Sequence, residues 1–169
     1  MKDPQGHDGP YDAPVRLPAR QVLPEWIDYN GHMNVAYYTM AFDQAIDAFL
    51  EQELGMGEAH AGREKVGPYS LQNHVSYFSE LLEGAGFQIT VMLIDHDDKR
   101  MHLWMEMFNE AGQLAAASEG MLMNVDHVTR RATPYADWIK KRLEALRMSH
   151  DVLARPKQLG SVIGIRRKE

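Results

Sequence analysis

A change of hydrophobic period at Gly67-Pro68 constrains this chain more than any other feature. Before it, Val35, Tyr38, Phe42, Ala45, Ile46 and Phe49 recur at three- and four-residue intervals, while Asp43, Gln44, Asp47 and Glu51 fall elsewhere. That spacing predicts one amphipathic helix over residues 35–51. Asn34 stands just before it, with a side chain suited to accept a first-turn amide that the helix cannot satisfy. Gly55 and Gly57 are expected to end it, and 55–67 reads as a loop with one helical turn. After Gly67-Pro68 the period drops to two. Strand-like stretches follow over 69–78, 86–95, 100–109 and 113–125, with Phe87, Ile89, Val91 and Leu93 alternating with Gln88, Thr90 and Met92 in the second. The separators around Glu83-Gly84, Asp95-His96-Asp97-Asp98 and Asn109-Glu110-Ala111-Gly112 are short turn material, which favours antiparallel neighbours. One long helix followed by enough sheet to wrap it is an α+β arrangement.

Three prolines and no apolar periodicity mark residues 1–14 as a flexible leader. Val15 to Leu23 suits a short strand that Pro18 confines to an edge or splits. Thr133-Pro134 follows the cap-then-proline rule for a last helix, with Tyr135, Trp138, Ile139, Leu143 and Leu146 on its apolar side and an end near Ser149. Residues 15–150 are therefore expected to form one domain, with 151–169 as a C-terminal basic tail. Methionine-rich strands with apolar residues on both faces suggest that another subunit covers one face of the sheet.

Composition removes several kinds of chemistry. The chain contains no cysteine, which excludes disulfides, thiolate nucleophiles, iron–sulfur clusters and thiolate zinc sites. A formal charge of −6 argues against broad nucleic-acid binding, although Arg130-Arg131 and Arg166-Arg167-Lys168 form two local basic groups. No run approaches the roughly 18 apolar residues of a membrane span, and the first six residues lack an apolar signal core, so a cytoplasmic protein is expected. There is no Gly-x-Ser-x-Gly elbow, phosphate-cradling Gly-Lys loop or His-Glu-x-x-His motif. Asp95, His96, Asp97, Asp98 and His102 match no recognised metal spacing and coincide with a hairpin turn, so no metal is expected.

The densest polar stretch, Glu25-Trp26-Ile27-Asp28-Tyr29-Asn30-Gly31-His32-Met33-Asn34, leads straight into the long helix. A carbonyl oxygen placed on a free first-turn amide there would let Asp28 attack the carbon or deprotonate a water. From pattern alone the commoner reading is that Asp28 and Asn34 serve as turn and cap residues.

The segment Asp28-Tyr29-Asn30-Gly31-His32-Met33-Asn34 resembles the Asp-x-x-Gly-His-x-Asn segment of the 4-hydroxybenzoyl-CoA thioesterase-like group of hotdog enzymes. Tyr37-Tyr38 and Phe42, and the turn Asp97 to Leu103, are similar to it as well. The resemblance implies a hotdog fold, an antiparallel sheet wrapped around a long helix, and hydrolysis of an acyl-CoA thioester. It implies Asp28 as nucleophile or general base, the Val35 amide as oxyanion donor, and His32 and Asn34 shaping the loop. It also implies a homodimer or homotetramer with sites between protomers, and no cofactor beyond the CoA of the substrate. Within the group, Pro24 to Met33 is similar to the betainyl-CoA thioesterases, from which Asn34-Val35 departs. A trimethylammonium acyl group calls for an aromatic cage, for which Trp26, Tyr37, Tyr38, Tyr77 and Trp104 are the candidates, core packing being the commoner fate of each. His74 either faces the cleft or fills the sheet. Arg130 and Arg131, or the closing basic group, are candidates for the CoA phosphates. The alternatives are a hotdog 3-hydroxyacyl-thioester dehydratase and a non-catalytic acyl-CoA binder. A dehydratase of this superfamily would use a histidine with a helical carboxylate, and the helix offers Asp43 and Asp47 without a histidine.

Overall fold

The computed structural model describes residues 6–165 and residue 167. The expected helix is α1 (Val35–Phe49), which continues into one wider turn over Leu50–Leu54 and stops at Gly55, whose φ of 66° only glycine adopts without strain. Asn34 caps it, its side chain accepting the Ala36 N–H at 2.9 Å. A seven-residue helix, α2 (Glu58–Glu64), occupies the segment read as a loop.

The sheet contains β1 (Val15–Arg16), β2 (Arg20–Gln21), β3 (Val66–Tyr77), β4 (Gly86–His96), β5 (Arg100–Asn109), β6 (Leu114–Asp126) and β7 (Arg131–Ala132). All pairings are antiparallel and the main order is β1-β4-β5-β6-β3. Pro18 splits the first edge strand, and both halves pair with β4. One short link is not a hairpin, because β3 lies against β6 rather than β4. Residues 78–85 instead carry the chain past two strands, about 14 Å at the usual spacing, a gap that eight residues span with length to spare.

The sheet curls around α1. Tyr38, Ala41, Phe42, Ala45 and Phe49 pack against the inward side chains of β4 and β5, among them Ile89, Val91, Leu103 and Met105. The last helix, α3 (Asp137–His150), closes this core with Ile139, Leu143 and Leu146. It starts later than the Thr133-Pro134 signal predicts. The Asn124 carboxamide donates to the Thr133 and Pro134 carbonyls at 3.1 and 3.2 Å, holding that segment extended against β6.

One expectation from composition needs correction. Residues 7–14 are packed rather than loose: Tyr11 is buried in the core, His7 pairs with Glu53 at 2.9 Å, and Asp8 with Arg142 at 2.8 Å. A single aromatic side chain outweighs the prolines and glycines around it. On the outer face of the sheet, where Met92, Ile94, Trp104 and Ala117 cluster, Leu153 and Leu159 of this same chain pack against them. Arg155 donates to the Ile94 carbonyl at 2.9 Å, and the Gly160 N–H to Glu119 at 2.7 Å, so the segment after α3 lies across the sheet. Arg166 and Lys168 of the closing basic group lie outside the described residues.

Candidate active site

A short turn over Pro24–Trp26 opens the polar stretch, and an isolated bridge between Ile27 and Met33 turns residues 28–32 into a small loop. The Asp28 N–H donates to the His32 carbonyl and the Gly31 N–H to the Asp28 carbonyl, both at 3.0 Å. Gly31 has a φ of 82°, which makes glycine the residue of choice there. Fully buried Met33 anchors the loop, and its N–H donates to the Leu81 carbonyl at 2.8 Å. The crossing link 78–85 thus braces the loop, and Tyr38 reinforces it by accepting the Leu81 N–H at 3.2 Å.

The Asp28 carboxylate accepts the Asn30 N–H at 2.8 Å on one oxygen and the Asn34 side-chain amide at 3.4 Å on the other. Asn34 therefore touches the carboxylate with its nitrogen and caps the helix with its oxygen. The Ala36 and Tyr37 N–H groups are taken by the Asn34 side chain and carbonyl. Among the described residues the Val35 N–H has no acceptor, and it belongs to the first turn, where the helix dipole favours negative charge. The His32 ring places Nδ1 3.2 Å from the Met33 carbonyl, a contact that puts the proton on Nδ1.

The other sequence candidates divide into groups. Trp26 is buried and stacks on Tyr37 with centroids 5.5 Å apart. Its other aromatic neighbour is Phe87, and the Arg20 guanidinium lies 5.6 Å from its ring centre. Tyr38 is buried edge-on to half-exposed Tyr77. Burial pushes both phenols above their ordinary range, so they remain protonated at neutral pH. Trp104 and His74 both sit opposite Glu119, on the outer face of the sheet and away from α1. The five aromatic residues consequently do not converge on one box within the chain. Arg130 and Arg131 follow Asp126, the partner of Val66 at the far end of β3. Along that strand, at about 3.3 Å per residue, the Asp126 end lies at most about 36 Å from the end that carries the loop, and Tyr69, eight residues from Tyr77, about 26 Å. The Arg130 guanidinium donates to the Tyr69 hydroxyl there at 3.0 Å.

Two clefts lie near α1, one bordered by Trp26, which stacks on Tyr37, and one running along the helix itself. One, of about 890 Å³, is lined by Arg20, Leu23, Trp26, Phe87 and Glu110. The other, of about 480 Å³, runs between Ala36, Thr39 and Asp43 of α1 and Gln72 and Asn73 of β3. Arg20 was invisible as a site residue in the sequence, where it is one arginine in a short edge strand. Its register opposite Phe87 brings it to Trp26.

A family model described as the thioesterase-like superfamily matches residues 22–143, which include the loop, α1 and the whole of the long-stranded sheet. This chain belongs to that superfamily. A similar curated protein is a betainyl-CoA thioesterase of Pseudomonas aeruginosa, 34% identical over 145 residues that cover 85% of this chain and 91% of that one. Among solved structures, hypothetical protein SAV2348 of Staphylococcus aureus in complex with CoA superposes with a TM-score of 0.84 at 27% identity, covering 94% of this chain and 99% of that one. A putative thioesterase of Pseudomonas putida KT2440 gives 0.78 at 25% identity, covering 91% and 98%. The wrapped helix of this thioesterase is the hotdog arrangement, and the matched span holds every residue of the loop. Among the described residues no group of three or more histidine or acidic side chains is placed to hold a metal ion.

Proposed function

We propose that this thioesterase hydrolyses an acyl-CoA thioester to the free acid and CoA, with the reaction centred on Asp28. The observation that carries this reading is the link through Asn34: one side chain holds the Asp28 carboxylate and caps the helix whose Val35 N–H is left over. The thioester carbonyl oxygen accepts the Val35 N–H. Asp28 then attacks the carbonyl carbon, or takes a proton from the water that does. The negative charge that develops on the oxygen is held by the amide and the helix dipole, CoA leaves as the thiol, and the elements of one water end in the acid and the thiol. His32 and Asn34 hold the loop in shape.

For the acyl group we infer a small one, betaine included, on the support of the identity shared with the betainyl-CoA thioesterase. The chain pairs with a second copy along β3, giving a homodimer or homotetramer with the site near the interface. Support comes from the open β3 edge of the main sheet order and from Tyr69, Leu71 and Tyr77, which are 39%, 52% and 47% exposed there. A cytoplasmic location agrees with the finding that no described helix is long and apolar enough to cross a membrane.

Changing Asp28 to Asn preserves shape and removes the charge. Steady-state thiol release should fall about 10²–10⁴-fold, the range of a lost general base, while the melting temperature stays near that of the parent. Near-normal turnover in that variant would defeat the mechanism. The same assay separates the alternatives, because dehydration changes enoyl absorbance without releasing thiol and a binder does neither. A dehydratase is disfavoured by the Asp43 cleft, whose lining among the described residues contains no histidine.

A further inference from the structure

Arg20 is a positive charge next to Trp26, and among the described residues it forms no salt bridge or side-chain hydrogen bond. Its guanidinium lies 5.6 Å from the centre of the Trp26 ring and 5.7 Å from that of Phe87, on the wall of the 890 Å³ cleft. A cation held against aromatic rings makes no hydrogen bond to an oxygen there, so the guanidinium N–H groups stay available to oxygen acceptors. Among the described residues no carboxylate forms a salt bridge with it. Glu110 lines the same cleft, but its side chain lies over Gly86, where an added Cβ would meet its carboxylate at 2.5 Å.

Trp26 ties this cleft to the chemistry. It lies two residues before Asp28, its carbonyl accepts the Asn34 N–H at 2.9 Å, and its ring stacks on Tyr37 of the first helical turn. Trp26 is only 4% exposed, with Tyr37 stacked on it and Arg20 over it, so its ring offers a ligand cation little surface. A quaternary ammonium there would also meet a fixed positive charge. At Arg20 the cleft suits the opposite sign.

We propose that Arg20 binds an anionic oxygen group of the thioester, a CoA phosphate or a carboxylate on the acyl chain, in the cleft beside the catalytic loop. The inference rests on the acyl-CoA reading and adds to it the residue that recognises the charged part of the substrate. Arg20 is a binding residue and takes no part in bond breaking.

The test compares the parent protein with Arg20→Gln on butyryl-CoA, glutaryl-CoA and S-butyryl-pantetheine, which lacks the nucleotide and its phosphates. If the group is a phosphate, KM should rise about tenfold for both CoA thioesters with kcat little changed, as for loss of one charge-assisted hydrogen-bonded contact. S-butyryl-pantetheine should then be unaffected. If it is the acyl carboxylate, glutaryl-CoA alone should lose affinity. Arg20→Lys should recover part of either loss. An equal effect on all three substrates would mean that Arg20 only packs against the aromatic rings, and no effect on any would mean that it does nothing; both overturn the proposal. Calorimetry with CoA and pantetheine gives a readout independent of turnover. A parent that binds CoA more tightly than pantetheine, with the gap closed by Arg20→Gln, supports the phosphate even if no thiol is released. Absence of thiol release from every substrate would count against the thioesterase reading alone.

Discussion

Asn34 performs two tasks with one carboxamide. Its oxygen accepts the Ala36 N–H and its nitrogen reaches Asp28, so removing the side chain would mix a stability effect with a catalytic one. Serine separates them, because its hydroxyl caps a helix nearly as well as asparagine but is too short to reach the carboxylate. Asn34→Ser is expected to stay within about 0.5 kcal/mol of the parent in urea unfolding while kcat falls about tenfold, the scale of one lost hydrogen bond of about 1.4 kcal/mol. Equal activity of the two proteins would show that the contact to Asp28 does not matter. The motif was legible at this scale from the sequence, since capping and turn residues act on their immediate neighbours. The Trp26 surroundings were not, because Tyr37, Phe87 and Arg20 reach that ring from a helix and two strands.

Between elements, the joint that closes the core is made by a histidine. His150, at the end of α3, is almost fully buried. It accepts the Leu93 N–H of β4 on Nδ1 at 2.8 Å, and its Nε2 lies 2.9 Å from the Asp12 carbonyl. This pattern needs the neutral ring with its proton on Nε2, and burial lowers the pKa accordingly. Unfolded, the ring titrates near about 6.5. Between the lowered folded value and that figure the unfolded chain binds more protons, so the contribution to stability is full above pH of about 6.5 and is lost as the pH falls. Buried His60 is shifted the same way. Calorimetric melting temperatures should therefore rise from pH 5.5 to 7.5. His150→Asn keeps an acceptor for Leu93 but cannot titrate, and it should show a shallower rise. A slope as steep as the parent's would remove His150 from the account. Asp97, held down to about 2 by Arg100 and neighbouring amides, titrates well below this window.

On the scale of the whole molecule, the two ends of the chain complete the structure that the central elements begin. Residues 7–14 brace the end of α1, and the segment after His150 crosses the outer face of the sheet to Glu119. Leu153 and Leu159 pack against the apolar cluster on that face. Truncation after Asp151 is expected to uncover Met92, Ile94, Trp104 and Ala117, a contiguous apolar patch. The shortened protein should self-associate beyond the parent in sedimentation, and emission from Trp104 should shift to the red. A truncated chain that sediments as the parent does, with unchanged emission, would mean that the covering segment is dispensable.

Local chemistry alone determined the long capped helix, the four long strands, the splitting of the edge strand at Pro18 and the polar turn around Asp28. Each depends on residues a few positions apart, through the period of apolar side chains, a cap or a turn. The tertiary structure decided which strands are neighbours, which face of the sheet carries His74 and Trp104, and what covers that face. It also brought Arg20 to Trp26 and Leu81 to Met33. Those outcomes depend on contacts between residues far apart in the chain, where strand register and the burial of whole faces outweigh any preference that a short segment carries by itself.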